Sequence, residues 1–487
     1  MVRRALAAIR RSPIVAAILS FLVPGAGQAW AGEAGRGLIL AAPIILLAVG
    51  AGAVLATQGT ARTLGLALQP GVLLVLVAAN LAIAALRAFA TVDAYRIASR
   101  RRPPAGRRAP RWVATGVLAA LLTVTVGTHA GIGYVGYRTY DTVTTVFAER
   151  SQEPTPTPEP TPEGPSPTPR PRWTAPPTPQ PTPEPIWSTD GRLDLLLIGA
   201  DEGPGRFSLR SDALILLSVD VASGKAALFG IPRYLTNVPL PPRSVNAFAC
   251  RCFPDYINAL FRYAEDHPEW FQGADGERGL RATEEAIGAL VGIHLDGRLV
   301  VNLQGFVRLV DALGGITINV PGPLYDALYP LPDGSGTIEI SWAPGVQWMD
   351  GQRALAYART RHQDSDFDRM WRQQWVLLAL RRQMNPCAVI TRLPELLEIA
   401  GDTLSTNLPV EQLPDLLAVA ARVAPDGIAR YQFWPPDIPR DLDAAALEKI
   451  RAMVREPFPA PVTPVPGVTP TPASPSAAPV PPPASPC

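Results

Sequence analysis

The sequence predicts an α/β protein, a sheet covered by helices on both faces, preceded by a helical membrane module. Three observations predict it. Long apolar segments crowd the first part of the chain, short apolar strand-like runs alternate with amphipathic helical patterns from about residue 187 to 457, and a Pro-rich tract separates the two.

At 487 residues the chain is too long for one ordinary domain. Residues 37–57, 66–90 and 113–136 are each long enough to cross a bilayer, and their only charge is Arg87. The shorter stretch Ile14–Val23 ends in PGAGQ and is expected to be re-entrant or interfacial. Arg3, Arg4, Arg10 and Arg11 precede it, and arginines crowd the loop from Arg96 to Arg111. Both regions should therefore be cytoplasmic, and the last span should lead outward. This gives a membrane module at 1–111 with two or three spans, an exit helix at 112–137, and a multi-pass protein whose C-terminal part is extracellular. Net charge is +2, and no basic domain exists on which a nucleic-acid partner could rest.

Residues 152–185 place Pro at every second or third position and read as an extended stalk, reaching ~100 Å at ~3.1 Å per residue. The tail 458–487 has a similar composition. All four cysteines fall after the last span, where disulfides are permitted, and a bridge from Cys250 or Cys252 to Cys387 is one possible staple.

The globular unit, 187–457, opens with strand signals LDLLLIGAD, DALILLSVD and AALFGIP. Helical patterns follow at about 254–265 and 281–291, then a strand near 298–303, a helix at 304–313, and strand ITINV after Gly314-Gly315. The last part, from about 391, reads as mostly helical. Between 358 and 374 the stretch ARTRHQDSDFDRMWRQQ concentrates charge just before an apolar helix. Reading ALAYARTR as a strand places Tyr357, Arg359 and Arg361 on one face. Arg369 and Gln373 share a face of the helix that follows, and Asp366 or Asp368 is placed to cap it. Guanidinium forks before a helix N-terminus suit a polyanion such as a phosphate. The plain alternative is a set of solvated loop charges pairing across a turn. Other strand ends repeat the pattern: Asp201 after the first strand, Arg210 and Asp212 at the second, Arg233 after the third. Sheets covered on both faces place ligands at such ends. Asp201 and Asp212 are hard oxygen donors suited to Mg²⁺, or Mn²⁺.

At these residues the chain resembles the LytR-CpsA-Psr family of cell-envelope proteins over about 190–385. The blocks LLLIGAD, RSDALILLSVD, LFGIPR, INALFRYAE, VNLQGFVRLVDALGGITINVP, MDGQRALAYARTR and DFDRMWRQQ stand in the family's order. The resemblance implies an α/β/α sandwich with a central mixed sheet, and a membrane-anchored enzyme that moves a glycan-phosphate from a polyprenyl-pyrophosphate carrier to the cell wall, generally peptidoglycan. On matching positions, Asp201 and Asp212 would hold Mg²⁺, and Arg210, Arg233, Arg359, Arg361, Arg369 and Gln373 would grip the pyrophosphate; Asp212 with Arg210, Arg233, Arg359 and Arg361 would form the catalytic set. The chain departs from the family at Tyr234, where Asp is common, and at Tyr256, where Lys is frequent; Arg251 or Arg262 is the expected substitute cation. The segment SFLVPGAGQAWAGEAGRGL with TVDAYRIA resembles small bacterial membrane modules.

In the expected reaction an acceptor hydroxyl attacks the sugar-linked phosphorus while metal and arginines neutralise the leaving polyprenyl phosphate. The lipid tail is expected beside Phe306–Leu313 and Trp371–Leu380. Asp212, Asp366 and His362 are candidates for general base. Two other functions use the same residues: a pyrophosphatase with water as acceptor, and a non-catalytic membrane-tethered binder of lipid-linked glycan.

Overall fold

The computed structural model describes residues 12–101, 110–147, 185–187, 190–200, 211–331, 336–360, 365–384, 392–424 and 427–458. Asp201, Arg210, Arg361, His362, Cys387, the stalk up to residue 184 and the tail from residue 459 lie outside them. Two compact units are present, Met1–Thr145 with Val410–Ala418, and Val146–Pro409 with Val419–Cys487.

The first unit is helical: α1 (Pro13–Leu22), α2 (Ala26–Trp30), α3 (Ala34–Ala67), α4 (Pro70–Arg100) and α5 (Arg111–Val146). Helices α3, α4 and α5 are long and apolar enough to cross a membrane, whereas α1 is too short. The PGAGQ stretch makes the turn between α1 and α2. Gly25 has a φ of 93°, and a Cβ there would lie 2.0 Å from the Gly37 carbonyl oxygen, so only glycine allows this approach. Gln28, fully buried, receives a bond from Ser20 Oγ (2.6 Å) and donates to the Ala90 carbonyl (2.9 Å) and to Asp93 (3.2 Å). Arg36 closes the network with two bonds to Asp93, of 2.9 and 2.8 Å. An apolar environment demands such pairing of polar groups.

The rest of the chain contains, in order, β1 (Arg192–Ala200), β2 (Ser211–Asp220), β3 (Ala226–Gly230), β4 (Val238–Pro239), β5 (Cys252–Phe253), α6 (Leu260–Asp266), α7 (Glu277–Val291), β6 (Gly297–Asn302), α8 (Leu303–Ala312), β7 (Ile316–Val320), β8 (Leu324–Pro330), β9 (Thr337–Trp342), β10 (Gly345–Met349), α9 (Gly351–Arg359), α10 (Asp366–Gln383), α11 (Leu393–Thr403), β11 (Leu404–Thr406), α12 (Leu413–Arg422), β12 (Ile428–Gln432) and α13 (Ala444–Arg455), all in the second unit except the first part of α12. Among the described residues the main sheet runs β11-β6-β1-β2-β3-β12. It is mixed: β1 pairs with β6 and β3 with β12 in parallel, while the other neighbours are antiparallel.

Period-two alternation divides this sheet into two unlike faces. Leu196, Ile198 and Ala200 of β1, with Leu214 and Leu216 of β2, are buried against α6, α7 and α13. On the other face α8 packs on β6 and α10 on β3 and β12. A smaller core joins α8, α9 and α10 to the β7–β10 hairpins. Helices thus cover both faces, and the α/β sandwich predicted from the sequence is the one found.

Two local expectations need correction. ALAYAR is helix α9, not a strand. Asp350 caps it by accepting from the Arg353 amide (2.8 Å), and the small residues Ala354, Ala356 and Ala358 favour helix while letting it pack into the smaller core. Cys250 is bonded to Cys252, so neither is available to Cys387.

Candidate active site

The site lies where β1, β2 and β3 come together at one end of the sheet. β1 ends at Ala200, opposite Ser211, with a register shift between Gly199 and Ala200. Asp212 is the second residue of β2, and Asp201 is the next residue in the chain after Ala200. Asp201 itself lies outside the described residues. Nearby, the Ile231 amide bonds to the Leu214 carbonyl (2.9 Å), which carries the chain from β3 into Pro232 and Arg233.

Arg233 reaches the N-terminus of α10. Its Nη2 lies 3.6 Å from Asp366 Oδ1, and Arg369 Nη2 lies 3.0 Å from the same carboxylate. Asp366 thus holds two guanidinium groups side by side in a partly buried position. It does not cap the helix: Ser365 does, in a capping box with Asp368. Sequence reasoning grouped Arg233 with Arg369 and read Asp366 as a cap or general base; the structure sets Asp366 between the two guanidinium groups.

Arg359 occupies the last turn of α9, half-buried. Thr360 then leaves the helix with extended backbone, and its carbonyl accepts from Arg372 Nη2 while the Tyr357 carbonyl accepts from Arg372 Nε (2.8 Å). Thr360 Oγ1 also donates to buried Asp326. These bonds fix Thr360 at the end of α9. Because α9 is helical, Tyr357 and Arg359 do not share a face; Tyr357 is buried under Arg372 instead. Gln373, four residues after Arg369, lies on the same flank of α10.

Tyr234, which stands where the resembling family often has Asp, packs edge-on to Phe367 at 5.8 Å. Its hydroxyl is buried and has no hydrogen-bond partner among the described residues. Burial raises its pKa first, and the Asp366 carboxylate adds to this against an opposing pull from Arg369. The phenol therefore stays protonated and presents a donor. At Tyr256 the neighbouring cation is Arg440, 4.7 Å from the ring centroid, a contact with no local sequence signal. Arg262 is engaged by Asp266 at 2.9 Å. The position is tied to the site because the Asn258 amide bonds to the Arg233 carbonyl at 3.2 Å.

Beside this polar end runs an apolar trough. On the sheet face shared by α8 and α10, Leu195, Leu197 and Gly199 of β1 are only half-buried, as are Ala213 and Leu217 of β2 and Leu299 and Val301 of β6. The registers set Leu299 and Leu197 abreast of Ile215, which is buried, and set Val301, Gly199 and Ala213 abreast one step nearer the site. Apolar side chains in the middle of a sheet with helices on both faces are ordinarily sealed. Here α8 and α10 flank the central strands and leave the row open. Of the two segments expected to line a lipid channel, α8 borders this trough, while Val310 and Leu313 at its far end and Val376 and Leu380 of α10 are packed in the smaller core.

A row of half-buried apolar side chains thus lies beside the guanidinium groups that Asp366 brings together. Residues 174–437, more than half of the chain, match the model of the LytR_cpsA_psr family, and the chain belongs to that family. Among curated proteins it is 29% identical over 234 residues to a polyisoprenyl-teichoic acid--peptidoglycan teichoic acid transferase TagU of Oceanobacillus iheyensis, covering 48% of this chain and 64% of the relative. The protein of the same name from Halalkalibacterium halodurans is 26% identical over 231 residues, with 47% of this chain and 65% of the relative covered. The match thus spans just under two thirds of each relative's length. Among solved structures, B. subtilis TagV is 24% identical with a TM-score of 0.41, covering 55% of this chain and 98% of that one.

Proposed function

We propose that the protein is a membrane-anchored transferase that moves a glycopolymer-phosphate from a polyprenyl-pyrophosphate carrier to a cell-wall acceptor, peptidoglycan being the acceptor the relatives' names suggest. The observation that carries this reading is the half-open trough of β1, β2 and β6 ending at Arg233 and Arg369. A polyprenyl chain would lie on Leu195, Leu197 and Leu299, where each buried methylene contributes about 0.8 kcal/mol. Its diphosphate would then reach Arg233, Arg359, Arg369 and Gln373, with Arg210 and Arg361 completing the grip. Arginine suits this role because its planar fork binds two phosphate oxygens at once and stays charged.

Asp201 and Asp212 would be the residues to hold a divalent cation, since carboxylate oxygens are the donors Mg²⁺ or Mn²⁺ takes beside phosphate. A bound divalent cation would supply charge neutralisation to the diphosphate. The chain's own residues do the rest. Asp366 holds Arg233 and Arg369 close together before substrate arrives, so little reorganisation is needed when charge develops. Tyr234 O–H would donate to a phosphate oxygen. The acceptor hydroxyl forms its bond to the sugar-linked phosphorus, the bond from that phosphorus to the bridging oxygen breaks, and polyprenyl phosphate leaves. Three apolar helices support anchoring in several passes, and the positive-inside pattern supports placing the second unit outside.

The test is turnover by the full-length protein in nanodiscs, supplied with a lipid-linked glycan, Mg²⁺ and wall fragments. Polyprenyl phosphate release should equal the amount of glycan-phosphate joined to the acceptor. Asp212→Asn should lower turnover by ~10²–10³-fold. Release without acceptor joining would make the protein a pyrophosphatase, no turnover by the parent would make it a binder, and parental turnover in Asp212→Asn would remove that carboxylate from the reaction.

A further inference from the structure

Helix α10 turns its two flanks to different chemistry. At about 100° per residue, Asp366, Arg369 and Gln373 share the flank toward the diphosphate site, while Trp371 and Trp375 lie on the other, beside β12. On that second flank is a hollow of about 400 Å³, bounded by Trp371, Trp375, Arg430 of β12 and the Val320–Leu324 turn. Its size falls within the ~300–1,000 Å³ usual for small-ligand sites.

Arg430 decides what could occupy it. Its guanidinium carbon sits 5.3 Å from the Trp371 ring centroid and 5.8 Å from that of Trp375. Its Nη1 is buried and has no hydrogen-bond partner among the described residues. The other charged groups of the wall are committed: Arg372 to the carbonyls of Tyr357 and Thr360, and Asp368 to Ser365. Burial, and then repulsion from Arg382, lower the Arg430 pKa, so this cation is held without full compensation. A buried donor left unpaired costs about 1–3 kcal/mol, more when charged. An isoprenoid tail would leave that cost in place, whereas an anionic oxygen would remove it. The hollow is therefore no extension of the trough.

We infer that this hollow binds an acidic saccharide, its carboxylate or phosphodiester on Arg430 Nη1 and its sugar C–H faces against the indole rings of Trp371 and Trp375. Only the origin of that ligand rests on the transferase reading: the acidic sugar belongs either to the polymer being transferred or to the wall strand that accepts it.

The experiment is calorimetric titration of the full-length protein in nanodiscs with three water-soluble probes. These are an oligosaccharide bearing phosphodiesters, a wall fragment bearing carboxylates, and a neutral chito-oligosaccharide of equal length. At least one acidic probe should bind at least tenfold more tightly than the neutral one, and which of them does so names the source. Arg430→Gln should weaken that binding about tenfold or more, with Arg430→Lys between the two. Should Arg430→Gln fail to fold, the Lys variant and saturation-transfer NMR from indole to sugar protons carry the test. Equal affinity for acidic and neutral probes, or binding unmoved by either substitution, would overturn the assignment. Asp212→Asn should lower transfer by ~10²–10³-fold and keep oligosaccharide binding. If the parent protein shows no transfer, the transferase reading fails while the saccharide site stands.

Discussion

Strand β1 gathers charge at both ends, and the two ends treat it differently. At its start, Arg192 is held by Asp194 (3.1 Å) and Ser218 (2.6 Å), and Asp296 accepts from the Asp194 amide (2.8 Å). Asp194 is 1% exposed, and the Phe458 ring covers Arg192 at 4.5 Å, so this end is closed over even though the Arg192 Nε has no hydrogen-bond partner among the described residues. At the other end Arg233 and Arg369 share one carboxylate, the Tyr234 hydroxyl is buried with no partner among the described residues, and an apolar row beside them stays half-open. Charge at a strand end is thus no sign of a site by itself. The sign is a polar group whose partner is missing next to a surface that the fold leaves uncovered.

That contrast can be broken or sharpened by substitution. Arg233→Ala should lower transfer by ~10–100-fold, the range expected for losing a hydrogen bond to a charged group, and Arg233→Lys should recover only part because it lacks the fork. Steady-state rates with a lipid-linked donor check this. Leu197→Asn, in the trough, should raise KM for a long-chain polyprenyl donor more than for a short-chain one. An equal change for both would place the tail elsewhere. Tyr234→Phe should cost about 10-fold in kcat/KM, the lower end for one hydrogen bond to a charged acceptor, with the melting temperature unchanged or higher.

The opposite end should respond in stability rather than turnover. Burial, chiefly, pushes the Asp296 carboxyl up to about 7, above its unfolded value. Between about pH 4 and 7 the folded state therefore binds the proton and the unfolded state does not, so stability falls as pH rises through that window. Asp296→Asn keeps an acceptor for the Asp194 amide and cannot titrate. Thermal melts should show the parent losing stability from pH 4 to 7 relative to this variant, with transfer activity little changed.

Much of the fold was legible because buried strands announce themselves as continuous apolar runs, as in LDLLLIGAD and DALILLSVD. ALAYAR misled because its alternation of Tyr and Arg mimics a strand, although Asp350 before an Ala-rich run was a readable N-cap signal. The site was legible in its arginines, which sit in recognisable blocks. It was not legible in Asp366 as their shared anchor, in Tyr234's unsatisfied hydroxyl or in Arg440 beside Tyr256. Those relations join positions far apart in the chain, and no local pattern encodes them. The Cys250–Cys252 bond is a similar case, since spacing alone does not assign partners.

The most direct test is a structure of the full-length protein with a polyprenyl pyrophosphate. The account predicts the diphosphate within hydrogen-bond reach of Arg233 and Arg359, and the isoprenoid lying across Leu195 and Leu197. A head group bound away from both arginines, or a tail that leaves the β1–β2–β6 row uncovered, would contradict it.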